Sequence, residues 1–154
     1  LHLCDRRQRQ MCIRDKAGAN TNRDININIA SSYINGKILQ PNEKFSFWDT
    51  VGKCTYDKGY KDATVYSNGK KTKGIGGGVC QVSTTVNMAV KSAGIKTNAR
   101  QHSLPVSYAS REDEATVSFG NIDFKFTNTT GKTIMLVMGA VDGSCTCEVW
   151  AKYE

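Results

Sequence analysis

The sequence predicts an α+β domain: a mostly antiparallel sheet with two main helices, and a cysteine at the N-terminus of the central helix. Three observations predict it. Val79, Val82, Val86, Ala89, Val90 and Ala93 recur at helical spacing, one apolar face over about four turns. The C-terminal third instead alternates with a period of two. Two-residue turn signals, Asn68-Gly69 and Asp142-Gly143, sit between strand-like runs. With 154 residues the chain is long enough for one sizeable core and short for two domains. Its 39% hydrophobic and 23% charged content is that of an ordinary soluble globular protein.

The first sixteen residues are set apart. Leu1–Asp15 shows no apolar periodicity, no helix cap and no signal-peptide core. Gln10-Met11-Cys12-Ile13-Arg14-Asp15 is what the codons CAG ATG TGT ATA AGA GAC encode, the end of a common transposase-based sequencing adapter. Residues 1–16 are therefore read as a non-native, adapter-derived or disordered segment, and 17–154 as the domain. Without the four arginines and two aspartates of Leu1–Asp15, the net charge falls from +7 to +5.

Over 22–38 a short helix is expected, with Ile25, Ile29, Ser32, Tyr33 and Leu39 fitting its period, Asp24 as N-cap and Asn35-Gly36 as its end. Pro41-Asn42-Glu43 reads as a turn, and Phe45-Ser46-Phe47 as the start of an extended segment. Ala63–Tyr66 reads as a strand, and Asn68-Gly69 turns it into a hairpin or flap ahead of Gly74. The 79–93 helix follows, with Gly94 at its C-terminal cap. Thr116–Phe119 reads as a strand with Val117 and Phe119 on one face. Ile122, Phe124 and Phe126 alternate in the opposite phase, with a hairpin or bulge at Gly120-Asn121. A final hairpin spans 133–153.

The basic balance, pI near 9.2, suits an anionic partner such as a membrane surface or an acidic cell-wall polymer. Nucleic acid is set aside. The lysines are scattered apart from Lys70, Lys71 and Lys73, and no arginine-aromatic array accompanies them.

Chemistry concentrates at Gly76-Gly77-Gly78-Val79-Cys80-Gln81. Glycines allow a tight turn and close approach of a substrate. The unpaired N–H groups of a helix's first turn stabilise a thiolate, lowering the cysteine pKa, and can hold the oxyanion of an acyl-transfer intermediate. A nucleophilic thiol also needs a base. Beyond the set-aside segment His102 is the one histidine, with Glu112, Asp113, Glu114 and Asp123 as candidate orienting carboxylates. A phosphate loop is excluded because the Gly-Lys-Ser/Thr ending is missing. Cys145 and Cys147 share one strand face, and Cys54 is able to bridge to one of them in an oxidising compartment, although an isolated Cys54 and two packed thiols is the simpler reading. No metal constellation emerges, and no cofactor is expected.

These residues resemble the VanW-like domain of bacterial envelope proteins. The resemblance rests on Asn22-Arg23 with Asn26, Ile34-Asn35-Gly36, Pro41–Phe47, Val51-Gly52, Gly59-Tyr60 with Ala63, and above all Gly76–Thr84. It continues through Arg100 with His102-Ser103, Pro105–Tyr108, Ala115–Val117 and Asp123–Phe126 with Asn128, so that it is strongest over 22–128. Two departures stand out: Asn42 replaces a usual glycine, and Glu114 stands where the family usually has aspartate. The resemblance implies peptidoglycan work, linked to glycopeptide resistance, with some members similar to L,D-transpeptidases that form 3-3 cross-links through a thioacyl intermediate. It implies Cys80 as nucleophile and His102 as general base, with Glu114 or Asp113 as orienter. The implied oxyanion or substrate contacts are Gly76, Gly77, Gly78, Gln81, Ser83, Arg100, Ser103 and Tyr108. The implied partners are stem peptides or another anionic wall polymer, in an extracytoplasmic location with any membrane anchor upstream. The alternative is a non-catalytic wall-binding module.

Overall fold

The computed structural model describes the backbone of residues 3–12 and residues 21–152. Its elements run β1 (Leu3–Cys12), α1 (Thr21–Ile34), β2 (Lys37–Leu39), β3 (Lys44–Ser46), α2 (Phe47–Val51), β4 (Asp62–Ser67), β5 (Lys70–Ile75), α3 (Val79–Ser92), β6 (Lys125–Thr127), β7 (Ile134–Val141) and β8 (Ser144–Lys152). The α+β class holds, and every sheet pairing is antiparallel. The largest sheet has the order β1-β8-β7-β2, with β3-β6 and β4-β5 as separate two-stranded ribbons. Leu3–Cys12, expected to stand outside the fold, runs along the edge of β8. Main-chain pairing to an open edge requires no apolar period, so the composition of the segment did not announce a strand. Residues 13–16 of the same segment lie outside the described residues. Among the described residues no helix is long and apolar enough to cross a membrane.

Both hairpins form where the turn signals place them. Asn68 and Gly69 at φ 49° and 73°, and Asp142 and Gly143 at 50° and 76°, supply the two positive φ values of a tight hairpin turn. Alternation along β7 and β8 buries Ile134, Leu136, Met138, Cys145, Cys147 and Val149 beneath α1 and α3. Cys145 and Cys147 thus share the predicted face. Cys145 Sγ lies 3.6 Å from Ser31 Oγ, whereas Cys54 lies beside the glycine turn, and the four described cysteines are free thiols.

The helix at α1 forms, but on a different face from the one expected. Asn26, Ile27, Ala30, Ser31 and Ile34 are buried, while Ser32 and Tyr33 are exposed. Buried polar residues interrupt the apolar count that sequence periodicity relies on. Asn26 is satisfied there by the backbone of Lys61 and by Gly77 O. Asp24 lies inside the first turn rather than at the cap, where its charge still complements the helix dipole. Extended structure stops at Ser46, which caps α2 by accepting from Asp49 N, so Phe47 is helical.

Helix α3 is the centre of the domain. Its predicted apolar face is buried, and so are Gln81, Ser83, Thr84, Thr85 and Asn87. These polar side chains find backbone partners. Ser83 Oγ donates to Ala115 O (2.5 Å), Thr84 Oγ1 accepts from Ala115 N (3.1 Å), and Asn87 Nδ2 donates to Asp113 O (2.8 Å). The strand expected at Thr116–Phe119 does not form for this reason. The preceding Ala115 is held by the helix, Thr116 N donates to Arg100 O, Val117 O accepts from Cys80 Sγ, and only the Ser118–Ile122 bridge remains of the hairpin. Val117 is buried, but Phe119 enters the turn and stands half-exposed against Trp48.

Candidate active site

A cleft of about 940 Å³ opens at the N-terminal end of α3. The glycine turn and Cys80 form its floor, the β4–β5 hairpin one side, and the loop around His102 and the 116–122 segment the other sides. Two glycines are required by the geometry. A Cβ on Gly77 would come within 2.6 Å of the Ala63 carbonyl carbon and Thr64 O. Gly78, the N-cap of α3, has φ 110° and packs directly on the Arg23 side chain.

Cys80 is the second residue of α3 and partly buried. Its Sγ donates to Val117 O at 3.4 Å and lies 3.8 Å from Thr116 Oγ1. Burial pushes the thiol pKa up from its ordinary value. The Val117 backbone, the Thr116 hydroxyl and the Arg23 guanidinium pull it back only in part. The expectation that the helix start lowers the pKa is therefore corrected: loss of water around the sulfur outweighs the favourable dipole.

His102 sits on the loop after α3, with 3% exposure. Its Nε2 is 3.4 Å from the Tyr108 hydroxyl, and its ring meets Tyr66 of the hairpin edge-on. Its Nδ1 is 3.6 Å from Glu114 Oε2, an ion-pair separation longer than a formed hydrogen bond. Burial lowers the imidazole pKa against the opposing pull of Glu114, and Arg111 lowers it further. Burial thus favours the neutral form of the ring.

Of the four candidate carboxylates, only Glu114 reaches this histidine. Buried at 2% exposure, it accepts from His102 N (2.9 Å), Val106 N (3.3 Å) and Arg111 Nη1 (3.0 Å). Its main service is thus to fix the loop backbone on which the imidazole stands. Asp113 turns outward to Lys91 and Ser110, Glu112 is exposed, and Asp123 binds Ser46 and Trp48 N beside α2.

Gly76, Gly77, Gly78, Cys80, His102, Ser103 and Tyr108 line the cleft. Three other predicted contacts do not. Gln81 is wholly buried between Arg23 and Gly143 O, Ser83 is spent on Ala115 O and Cys80 O, and the Arg100 side chain is exposed away from the lining. All three lie next to motif residues in sequence, and the helix or loop turns their side chains elsewhere. Among the described residues no hydrogen bond joins Cys80 to His102; both line one cleft. Arg23 was overlooked: it lines the cleft from α1, binds Gln81 Oε1 and stacks 5.7 Å over Tyr108. Asn26, holding Gly77 O at 2.9 Å, was also overlooked. Both belong to the Asn22-Arg23 and Asn26 motif, whose place in a resemblance was visible and whose role was not.

A family described as "VanW like protein" matches residues 22–150. The chain is 39% identical over 127 residues to the uncharacterized protein YoaR of Bacillus subtilis, an alignment covering 82% of this chain and 42% of that protein. It is 30% identical over 142 residues to the vancomycin B-type resistance protein VanW of Enterococcus faecalis, covering 86% of this chain and 46% of that protein. The chain thus spans less than half the length of both relatives. No solved structure matches it.

Proposed function

This chain belongs to the VanW-like family, and on that premise we propose that it is a cysteine acyltransferase acting on peptidoglycan stem peptides, an L,D-transpeptidase forming 3-3 cross-links in the bacterial cell envelope. The observation that carries this reading is Cys80 at a glycine-capped helix start, on the floor of a cleft whose wall holds a buried His102.

In the first step the Cys80 proton passes to His102, and the sulfur attacks the carbonyl of the stem's third residue. No hydrogen bond joins the two groups, so the proton crosses the cleft through a bridging water, which general-base catalysis accommodates. The amides of Gly78 and Cys80 at the helix start hold the oxyanion. The peptide C–N bond then breaks, and the terminal D-alanine leaves with the proton returned by the imidazole. In the second step the amine of a neighbouring stem loses a proton to His102 and attacks the thioester. The C–S bond breaks, a new amide forms, and the thiolate regains the proton.

The test is incubation of the full chain with disaccharide-tetrapeptide, with mass spectrometry of both protein and product. The expected result is a protein adduct at Cys80 and a cross-linked dimer, both lost in Cys80→Ala. Dimer formation by Cys80→Ala would overturn the mechanism. Release of D-alanine without dimer would make the enzyme a hydrolase using the same thiol.

A second reading, a non-catalytic wall-binding module, is favoured by Lys70, Lys71 and Lys73, all exposed on β5 beside the cleft. It predicts sedimentation with sacculi at low salt, unchanged by Cys80→Ala, and no turnover.

A further inference from the structure

The two ring nitrogens of His102 meet different surroundings. Nε2 stands near the Tyr108 hydroxyl of the cleft lining, and Nδ1 faces Glu114. Nδ1 is buried without a hydrogen-bond partner, although Glu114 Oε2 is only 3.6 Å away. A buried ring nitrogen left unsatisfied beside a carboxylate has to have a cause. The cause is the way the carboxylate is committed. Each of its oxygens offers about two acceptor positions. At Oε2 these go to His102 N at 2.9 Å and to Arg111 Nη1 at 3.0 Å. Oε1 turns to Val106 N at 3.3 Å and to the same Nη1 at 3.4 Å. The guanidinium also holds the loop itself, Nη1 donating to His102 O at 3.1 Å and Nη2 to Gln101 Oε1 at 3.3 Å. Arg111 thus takes the acceptor position that a proton on Nδ1 would need.

We propose that Arg111 is a positioning residue for His102: by occupying Glu114 Oε2 it withholds the carboxylate from Nδ1, so that the imidazole takes up a proton without holding it fast. A carboxylate bonded to Nδ1–H would stabilise the imidazolium, whereas one already committed acts on it only through space. The Arg111 charge works in the same direction, opposing protonation of the ring as burial does. The other ionisable groups around the ring come from other elements. Tyr66 of β4 meets it edge-on with centroids 5.9 Å apart, Lys71 of β5 lies over Tyr66, Arg23 of α1 lies over Tyr108, and Cys80 of α3 shares the cleft. None of them bonds to Nδ1. This inference rests on the acyltransferase reading for the use of such a base, which there accepts and returns a proton in each step, but not for its test.

The test reads the imidazole directly. The full chain carrying ring-15N histidine is titrated by NMR, and the His102 signals are told from those of His2 by their loss in His102→Gln. The expected result for unaltered protein is a neutral ring with its proton on Nδ1 and a titration midpoint below 6.5. In Arg111→Met the vacated Oε2 accepts from Nδ1–H, and the midpoint shifts upward. The same substitution in a Glu114→Gln background shifts it less, because the carboxylate that Arg111 restrains is gone. An equal shift in both backgrounds overturns the inference, since Arg111 would then act by its charge alone. A midpoint at or above 6.5 in unaltered protein, or a neutral ring protonated on Nε2, overturns it with no substitution at all, so a variant that fails to fold cannot shelter it. Where Cys80 adducts form, the acid limb of their pH–rate profile moves up in Arg111→Met with the NMR midpoint. If the midpoint behaves as expected and unaltered protein forms no Cys80 adduct, the inference stands and the acyltransferase reading falls. If adducts form and Arg111→Met leaves the midpoint unmoved, the reverse holds.

Discussion

The floor and the loop wall of the cleft are built on different principles. The floor, Gly76 to Cys80, is fixed by backbone sterics: positive φ at Gly76 and Gly78, and no space for a Cβ at Gly77. The wall, from Gln101 to Val117, holds no regular strand or helix. One buried carboxylate gathers its backbone amides, and polar side chains of α3 hold its far end. Cys80 is thus placed by what cannot fit, and His102 by charge and hydrogen bonds. The two walls should fail differently: one to a change of size, the other to a change of charge or pH.

The largest effect expected is at the floor. Gly77→Ala drives a methyl into the Ala63–Thr64 backbone and costs about 3 kcal/mol or more of stability, as overpacking against main chain does. Urea denaturation measures it, and a loss below about 1 kcal/mol would show that the turn gives way and the contrast is overdrawn. Next comes Glu114→Ala, which strands the His102 and Val106 amides and Arg111 and costs about 2 kcal/mol. Glu114→Gln, retaining the acceptor oxygen but not the charge, is expected to lose less. If the two variants behave alike, shape rather than hydrogen bonding holds the wall.

A smaller effect is read at the thiol. Site-resolved alkylation of Cys80 against pH should give a midpoint above the ordinary 9.0, because burial disfavours the thiolate. In Arg23→Gln the midpoint moves higher still. A midpoint below 9.0 would mean that the helix start dominates after all.

The smallest effect expected is the acid sensitivity contributed by His102. Its folded pKa is lowered from 6.5, so below that value the unfolded chain takes up the proton more readily. Its contribution is present above pH 6.5 and is lost as pH falls toward the folded pKa. The Tm of unaltered protein should therefore drop more between pH 7 and 5 than that of His102→Gln. Parallel curves would remove His102 from the account.

These contrasts also explain what the sequence made legible. The floor was readable because glycines and a helical period are local signals: the turn, Cys80 at a helix start, Gly94 after the helix and both hairpin turns all stand where they were expected. The wall was not. Thr116–Phe119 looks like a strand, and only the three-dimensional fold reveals that Ser83 and Thr84 hold Ala115 just before it, while Arg100 O and Cys80 Sγ take up Thr116 N and Val117 O. Gln81, Ser83 and Arg100 were credited to the cleft through proximity to the motif, whereas side-chain direction depends on helix phase and loop path. Arg23 was missed for the converse reason: it lies 57 residues before Cys80 in the numbering, and α1 returns it to the site. The raised thiol pKa was missed because sequence reports a helix N-terminus but not the water excluded around it.

Helix α3 grips the 113–115 stretch through that stretch's own carbonyls and amide, with the Lys91–Asp113 ion pair adding a side-chain tie at its edge. The backbone part of this attachment is indifferent to what the gripped residues carry outward. It works as a socket: substitutions at Thr116, Ser118 or Phe119 alter the cleft's lining without unfastening the segment from the helix. For an engineer these are the positions at which to diversify a library, and for a lineage they are where acceptance of a new substrate costs the fold least.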